Sequence, residues 1–336
     1  MIGPDISRAT LKEPTMSSAS VVRRAFAAAV LASIAIAAMP VAAAPAEPLV
    51  STQWLKEHQS DPAIVVLDVR SAIDGGGSEA YAKAHIPGAL HSDYDKAGWR
   101  VTRNGVPFML PTAAELEKLI GETGIDEDSH VVVVPAGVSA TDFGSAARIY
   151  WTLKAAGHPA VSILDGGFAA WQAASYPVES GKNSPQPKIF SSRVDDTVLA
   201  QVEAVERSGG ATLVDARPAS FYDGKEKAPA AKAYGHIPGA VSLDSAGFYD
   251  PVTNRLRPKA QLAAIAAVLP PGPVVAYCNT GHWAATDWFV LSAVLGRSDV
   301  RLYDGSMVEW TADAHRPVAG SRTRFDDLKK ALGLGS

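Results

Sequence analysis

The second half of this chain repeats the first, in order. Ile64-Val-Val-Leu-Asp-Val-Arg70 returns as Ala211-Thr-Leu-Val-Asp-Ala-Arg217, and Ala84-His-Ile-Pro-Gly-Ala89 as Gly235-His-Ile-Pro-Gly-Ala240. Val131-Val-Val-Val134 returns as Val274-Val-Ala-Tyr277, and Thr141-Asp-Phe143 as Thr286-Asp-Trp288. Leu164-Asp-Gly-Gly-Phe-Ala-Ala-Trp171 returns as Tyr303-Asp-Gly-Ser-Met-Val-Glu-Trp310. Such a series, with similar spacing, predicts a duplicated domain. The 336 residues accommodate two domains at roughly 150 residues each, and a 47% hydrophobic content is ample for two cores.

Within each copy, short apolar runs alternate with helical signals. Strands are expected over 64–69, from Leu90, and over 131–134 and 161–164, then over 212–215, 241–243, 274–277 and 300–303. Helices are expected over 51–58, from a Thr112-Ala-Ala-Glu115 capping box to Ile120, over 144–156, and near 198–206, 259–268 and 286–295. Strand–helix alternation implies an α/β fold, each domain a mainly parallel sheet with helices on both faces. The expected domains cover 47–178 and 196–322. Residues 179–195, rich in Ser, Pro and Lys without apolar periodicity, read as the linker.

Residues 1–46 read as an export signal with upstream residues. Arg23-Arg24 precede an apolar run over 27–38 that ends in small residues, the layout of a secretory signal peptide. That run is short of the about 20 residues a membrane span needs. A Sec-type signal is expected, with a twin-arginine signal possible, and the mature protein would be periplasmic or secreted without a membrane association. A net charge of −4 and a pI near 6.1 argue against nucleic acid as a partner.

Cys278 is the sole cysteine. It ends the apolar run 273–277 and precedes Asn279-Thr-Gly-His-Trp283 and a helical stretch from Ala284, with Gly296 closing the helix. A strand-to-helix turn directs backbone N–H groups and a helix N-terminus at one point, a setting that favours a thiolate. A lone cysteine can equally be a buried structural thiol. An unpaired cysteine in an oxidising compartment favours reactivity.

These motifs together resemble the tandem-domain rhodaneses, the thiosulfate and 3-mercaptopyruvate sulfurtransferases, over residues 48–318. The resemblance rests on Asp-Val-Arg70 and Asp-Ala-Arg217, the two His-Ile-Pro-Gly-Ala elements, Asp-Gly-Gly-Phe-x-x-Trp171, and a Cys loop in the second copy alone. It implies an inactive first domain and a catalytic second; the counterpart of Cys278 is Pro135, which has no nucleophile. The implied chemistry is transfer of a sulfane sulfur from a small donor to a thiol or cyanide acceptor through a Cys278 persulfide. No metal and no organic cofactor are expected.

The N–H groups from Asn279 to Ala284, through Thr280, Gly281, His282 and Trp283, would ring the sulfur. His282 could carry a proton or merely border the pocket, and Trp283 reads as a wall. Arg217 is more easily read as the partner of Asp215 than as a donor ligand, and Arg70 likewise as the partner of Asp68. His85 and His236, shared by both copies, read as packing residues. The insertion 225–232 reads as a solvated loop.

Three departures bear on the donor. Asn279 and Thr280 stand where well-known members carry cations, Phe221 stands where the family offers a substrate-binding Arg, and the loop is not of the Cys-Gly-Ser-Gly type. The expectation is a bulkier or less anionic donor. A Cys-x5-Arg phosphatase would need Arg at residue 284, which is Ala. A non-enzymatic binding module is the remaining alternative, disfavoured by the intact Gly-containing Cys loop.

Overall fold

The structure, a computed structural model, describes residues 46–207 and 210–320, with Met1 and Gly3. The expected export signal therefore lies almost wholly outside the described residues, as do the last two residues of the expected second domain.

The first half orders its elements as β1 (Leu49–Val50), α1 (Thr52–His58), β2 (Ile64–Asp68), α2 (Gly77–Lys83), β3 (Leu90–His91), β4 (Val101–Arg103), β5 (Val106–Met109), α3 (Ala113–Glu122), β6 (His130–Val134), α4 (Ala140–Ala155), β7 (Val161–Leu164) and α5 (Gly167–Ala173). Its five-stranded sheet runs β1-β7-β6-β2-β3, parallel throughout. Side chains cap α1 and α3, the second by the predicted capping box. Ser51 Oγ accepts from Trp54 N–H at 3.0 Å. At α3, Thr112 Oγ1 accepts from Glu115 N–H while Glu115 Oε2 accepts from Thr112 N–H.

The second half follows with α6 (Val202–Glu206), β8 (Thr212–Asp215), α7 (Ala219–Tyr222), β9 (Val241–Ser242), β10 (Tyr249–Asp250), β11 (Arg255–Leu256), α8 (Lys259–Ala266), β12 (Val274–Tyr277), α9 (His282–Trp288), a π-helical turn (Phe289–Val294), β13 (Val300–Leu302) and α10 (Ser306–Trp310). Its sheet runs β13-β12-β8-β9, again parallel. Each half also carries one antiparallel hairpin, β4–β5 and β10–β11.

Two expectations need correcting, and two further segments are held more firmly than expected. Residues 198–200 are not helical: Leu199 bridges Leu302 in parallel, the place that β1 holds beside β7. A three-residue apolar run suits an edge strand as well as a helix start, and periodicity cannot separate them. The helix expected over 286–295 starts at His282 and ends in the π turn. The stretch 179–195 is strapped to the first half: Glu179 pairs with His85, Lys188 N–H reaches Gly121 O, Asp195 N–H reaches Ala155 O, and Phe190 is buried. The insertion 225–232 is largely solvated, as expected, but one point of it is anchored because the Ala-Pro-Ala-Ala between its lysines is apolar. It seats Ala231 with Val106, Met109 and Val308.

The halves share one core. Thirteen of the sixteen residues of α4 are buried, so this helix shows no clean amphipathic stripe. It packs against α9 and the π turn. Phe143 and Tyr150 meet Phe289 edge-on, with ring centroids 5.8 and 4.8 Å apart, each such pair contributing about 0.5–1.5 kcal/mol beyond area burial. Two ion pairs cross in opposite senses: Arg148 of the first half with Asp304 of the second, and Arg255 of the second with Asp165 of the first. The two aspartates are counterparts in the Asp-Gly repeat.

Candidate active site

Strand β12 delivers Cys278 to the carboxyl edge of the second sheet, where open α/β sheets bind ligands. Gly281 makes the turn with φ +72°; a Cβ there would collide with Arg148 Nη1 and the Asp304 backbone. The loop is clamped from two sides. Ser306 Oγ accepts from Cys278 N–H at 3.0 Å and Gly281 N–H at 3.1 Å, and donates to Tyr303 O at 2.8 Å. From the first half, Arg148 Nη1 donates to Thr280 O at 3.2 Å.

One expectation about the loop changes here. Gly281 N–H is spent on Ser306, so it does not ring the sulfur. The N–H groups of Asn279, Thr280, His282 and Trp283 take no acceptor among the described residues. The last two belong to the first turn of α9, which has no intrahelical partners to offer them.

Cys278 is 1% exposed and lines a pocket of about 200 Å³. The second half contributes Asn279, Thr280, His282 and Trp283 to its wall, and the first half Ile73, Arg100 and Thr141. Ala284 is not on the wall; it is buried in α9.

Arg217 is also off the wall. Its Nε and Nη2 donate to Asp215 at 2.8 and 2.6 Å, Nη2 also to Gly235 O, and Nη1 reaches Asn279 Oδ1 at 3.4 Å. Arg70 repeats this with Asp68 and Ala84 O. The motif therefore braces the turn in both halves, and only in the second does it also steady a loop residue.

His282 is settled by its partners. Thr141 O can only accept, so Nε2 carries the proton and donates to it at 2.9 Å; Nδ1 then accepts from Tyr94 O–H at 2.7 Å. Burial, aided by the charge on Arg100, lowers its pKa to about 3, while burial pushes Tyr94 up to about 12. With both nitrogens engaged by the first half, His282 is a neutral tie between the halves, and the proton-carrying role is not supported. Gly144 makes the tie possible, since a Cβ there would lie 2.8 Å from His282 Nε2.

Trp283 is the expected wall, with Nε1–H toward Thr141 Oγ1 at 3.4 Å and its ring edge-on to Phe221 at 5.9 Å. His85 and His236 stack on Tyr81 and Tyr222 and bond the carbonyls of the same tyrosines, as packing residues do.

Sequence reasoning missed Ser306, Arg148, Tyr94 and Arg100. Ser306 had a signal, for it replaces Gly167 in an otherwise matched Asp-Gly element. The other three arrive from the first half, and no local spacing announces them.

The first half has the corresponding loop, two residues shorter and without the chemistry. Asp142 accepts from the N–H groups of Ala136, Gly137 and Val138 at 3.0, 2.6 and 3.1 Å, so a side chain of the domain itself fills the cradle. Its counterpart Asp287 is fully buried with neither carboxyl oxygen partnered among the described residues, and burial raises its pKa.

The profile of the rhodanese-like domain matches residues 51–174 and 199–313. The chain is 36% identical to a probable 3-mercaptopyruvate sulfurtransferase of Pseudomonas aeruginosa over 285 residues, covering 81% of this chain and 97% of that one. It is 34% identical to a thiosulfate sulfurtransferase of Rattus norvegicus, covering 78% and 91%. Among solved structures it is similar to SseA of Escherichia coli, described with the rhodanese fold of the 3-mercaptopyruvate sulfotransferases. That match has a TM-score of 0.64 and 26% identity, covering 77% of this chain and 98% of that one. It also shares its fold with an ergothioneine biosynthesis enzyme of Chlorobium limicola, with a TM-score of 0.68 and 23% identity, covering 81% and 69%. The chain belongs to the rhodanese-like family and carries two copies of its domain.

Proposed function

We propose that this protein is a sulfurtransferase in which Cys278 carries the sulfur as a persulfide. The observation that carries the reading is the coincidence of the sole thiol, a pocket about 200 Å³ in volume, and four loop N–H groups without acceptors among the described residues. Relatives named for 3-mercaptopyruvate and for thiosulfate support the same class.

With thiosulfate, the Cys278 thiolate attacks the outer sulfur. The S–S bond of the donor breaks, sulfite leaves with its electron pair, and Cys–S–S⁻ remains. Cyanide or a thiolate then takes the outer sulfur and returns the thiolate. The charge that the Cys278 thiolate brings leaves with sulfite, and the outer sulfur is left as the anionic end of the persulfide. The N–H groups of Asn279, Thr280, His282 and Trp283 are fixed dipoles for that charge, and removing one such donor commonly costs about 10²–10³ in rate. Every step is polar, and no metal or organic cofactor is required. The first domain supplies wall and support, not a second nucleophile.

Intact-protein mass spectrometry tests the reading. Thiosulfate, 3-mercaptopyruvate and an organic persulfide are each added, with Cys278→Ser as control. We expect a gain of one sulfur atom that cyanide reverses and the control lacks. A folded protein with a titratable thiol that gains no sulfur from any donor would sink the enzyme and favour a binding role.

We also propose export, on the strength of Arg23-Arg24 and the apolar run that follows. N-terminal sequencing of the protein from a periplasmic fraction checks it, with a mature start near residue 47 expected. Recovery of the uncleaved chain from the cytoplasm alone would refute it.

A further inference from the structure

We propose that Arg148 is a positioning residue for the Cys loop. It locks the Thr280–Gly281 peptide against rotation, so the half without a nucleophile holds the sulfur cradle of the other half in its working shape. The effect on rate rests on the sulfurtransferase reading; the lock itself does not.

Arg148 lies in the middle of α4 and is fully buried. It is not on the pocket wall, so it acts on the sulfur only through the loop. Nη1 donates to Thr280 O at 3.2 Å, and Nη2 donates to Phe108 O at 3.3 Å. Nη2 also lies 3.5 Å from Asp304 Oδ2, which balances the charge. Asp304 is itself fixed by Leu110 N–H at 2.6 Å, and the Trp151 ring supports the guanidinium at 4.8 Å. Burying a cation is costly unless its partners make up for the lost water. The counterpart position in the second half is Ala293, so the duplicated helix does not itself require an arginine here.

The peptide that Arg148 holds is the one most free to turn. Gly281 sits at φ +72°, and glycine populates both signs of φ about as readily. Rotation of the peptide before it therefore meets little steric resistance, as in the exchange between related turn types. Bonds at both ends prevent it: Thr280 O is held by Arg148 of the first half, and Gly281 N–H by Ser306 of the second. A half-turn breaks both bonds and sets the Thr280 carbonyl against Ser306 Oγ, next to Cys278 N–H. The negative end of that dipole then faces the anion that the loop N–H groups serve, which opposes the persulfide charge.

The far end of the lock carries strain. Phe108 has φ +67°, an outlier for an aromatic residue, and its carbonyl is bonded by the same guanidinium. Strain of this kind persists where its surroundings over-determine it, and it clusters at functional sites. Here it lies one side chain away from the Cys loop.

Three variants test the lock. Arg148→Met removes the guanidinium and keeps an apolar stem. Arg148→Met with Asp304→Asn also avoids a stranded carboxylate, and the amide oxygen still accepts from Leu110 N–H. Arg148→Lys keeps the charge and one donor group. Urea melts establish which of them fold. The first readout needs no turnover: amide hydrogen exchange at Gly281. We expect its protection to fall at least about tenfold in the methionine variants while that of Val275 in β12 is kept, since local openings exchange independently of the core. The second readout is turnover with thiosulfate. There kcat should fall about 10²-fold with KM changed less than about threefold, as when an anion cradle is spoiled and the donor wall is intact. Arg148→Lys should recover part of both. Unchanged Gly281 protection in a folded methionine variant overturns the proposal, and so does lost protection with kcat at the wild-type value. Lost protection in a protein that no donor loads, wild type included, keeps the lock and defeats the sulfurtransferase reading. Should neither methionine variant fold, the wild type decides. A Gly281 N–H that exchanges as fast as an exposed loop amide overturns the proposal, because the peptide then turns with Arg148 in place; exchange as slow as that of Val275 supports it.

Discussion

Ser306 carries more of the site than its sequence context suggests. Its φ of +51° lies in the left-handed region, where a side chain is strained, and its Oγ serves two loop N–H groups. The counterpart Gly167, at φ +57°, has no room for a side chain, because a Cβ there would collide with Pro135 O. The second half thus accepts strain to gain a clamp on the nucleophile. Two substitutions separate these effects. Ser306→Ala and Ser306→Gly both strand the N–H groups of Cys278 and Gly281, at about 1–3 kcal/mol, and both should slow sulfur loading to a similar degree. Only glycine relieves the left-handed backbone, so Ser306→Gly should be the more stable by about 1 kcal/mol. Denaturant melts and single-turnover loading decide it; alanine matching glycine in stability would deny the strain.

The two Cys-loop elements share their Thr-Asp and differ in what the aspartate does. Six positions separate Pro135 from Thr141 and eight separate Cys278 from Thr286, and the shorter loop closes onto Asp142. A cysteine at the shorter loop would therefore meet a cradle already filled by a carboxylate. Pro135→Cys combined with Cys278→Ser should gain no sulfur from thiosulfate by intact mass, and a cyanide-reversible gain would disprove the account. Much of this element structure is legible in the sequence. Central parallel strands are buried on both faces, so 131–134 and 274–277 stand out as unbroken apolar runs. The Cys loop is legible for the same reason, being contiguous with its strand. The edge run 198–200 was misread because three apolar residues carry no period. Tyr94, Arg100 and Arg148 were invisible as site residues because they approach Cys278 only through the fold. Asp142 and Asp287 read alike in sequence; only the loop length decides which one finds donors.

Across the whole molecule, the halves hold each other through groups that also shape the pocket, so assembly and activity should share a pH dependence. His282 is the clearest case. Its pKa is near 3 in the folded protein and about 6.5 in an unfolded chain, so between those values the unfolded chain binds the extra proton. Stability from this group is then full above about pH 6.5 and is lost as pH falls toward 3. From pH 6.5 to 4.5 the loss is about 2 kcal/mol. Asp142, raised by burial to about 6, bends the curve the opposite way, because its unfolded form sheds the proton first. A comparison with His282→Gln removes that background. Glutamine keeps an acceptor for Tyr94 O–H and a donor for Thr141 O but does not titrate. We expect the variant to be less stable than wild type at pH 7.5 and to lose about 2 kcal/mol less on going to pH 4.5, measured by urea unfolding. Sulfur loading by the variant at pH 7.5 should persist at a reduced rate, because the ring donates its proton to a backbone carbonyl and not to a donor. Equal pH slopes in the two proteins would show that His282 is not held neutral by the contact between halves. Abolished loading in a folded variant would restore the proton-carrying role that the Tyr94 and Thr141 bonds argue against.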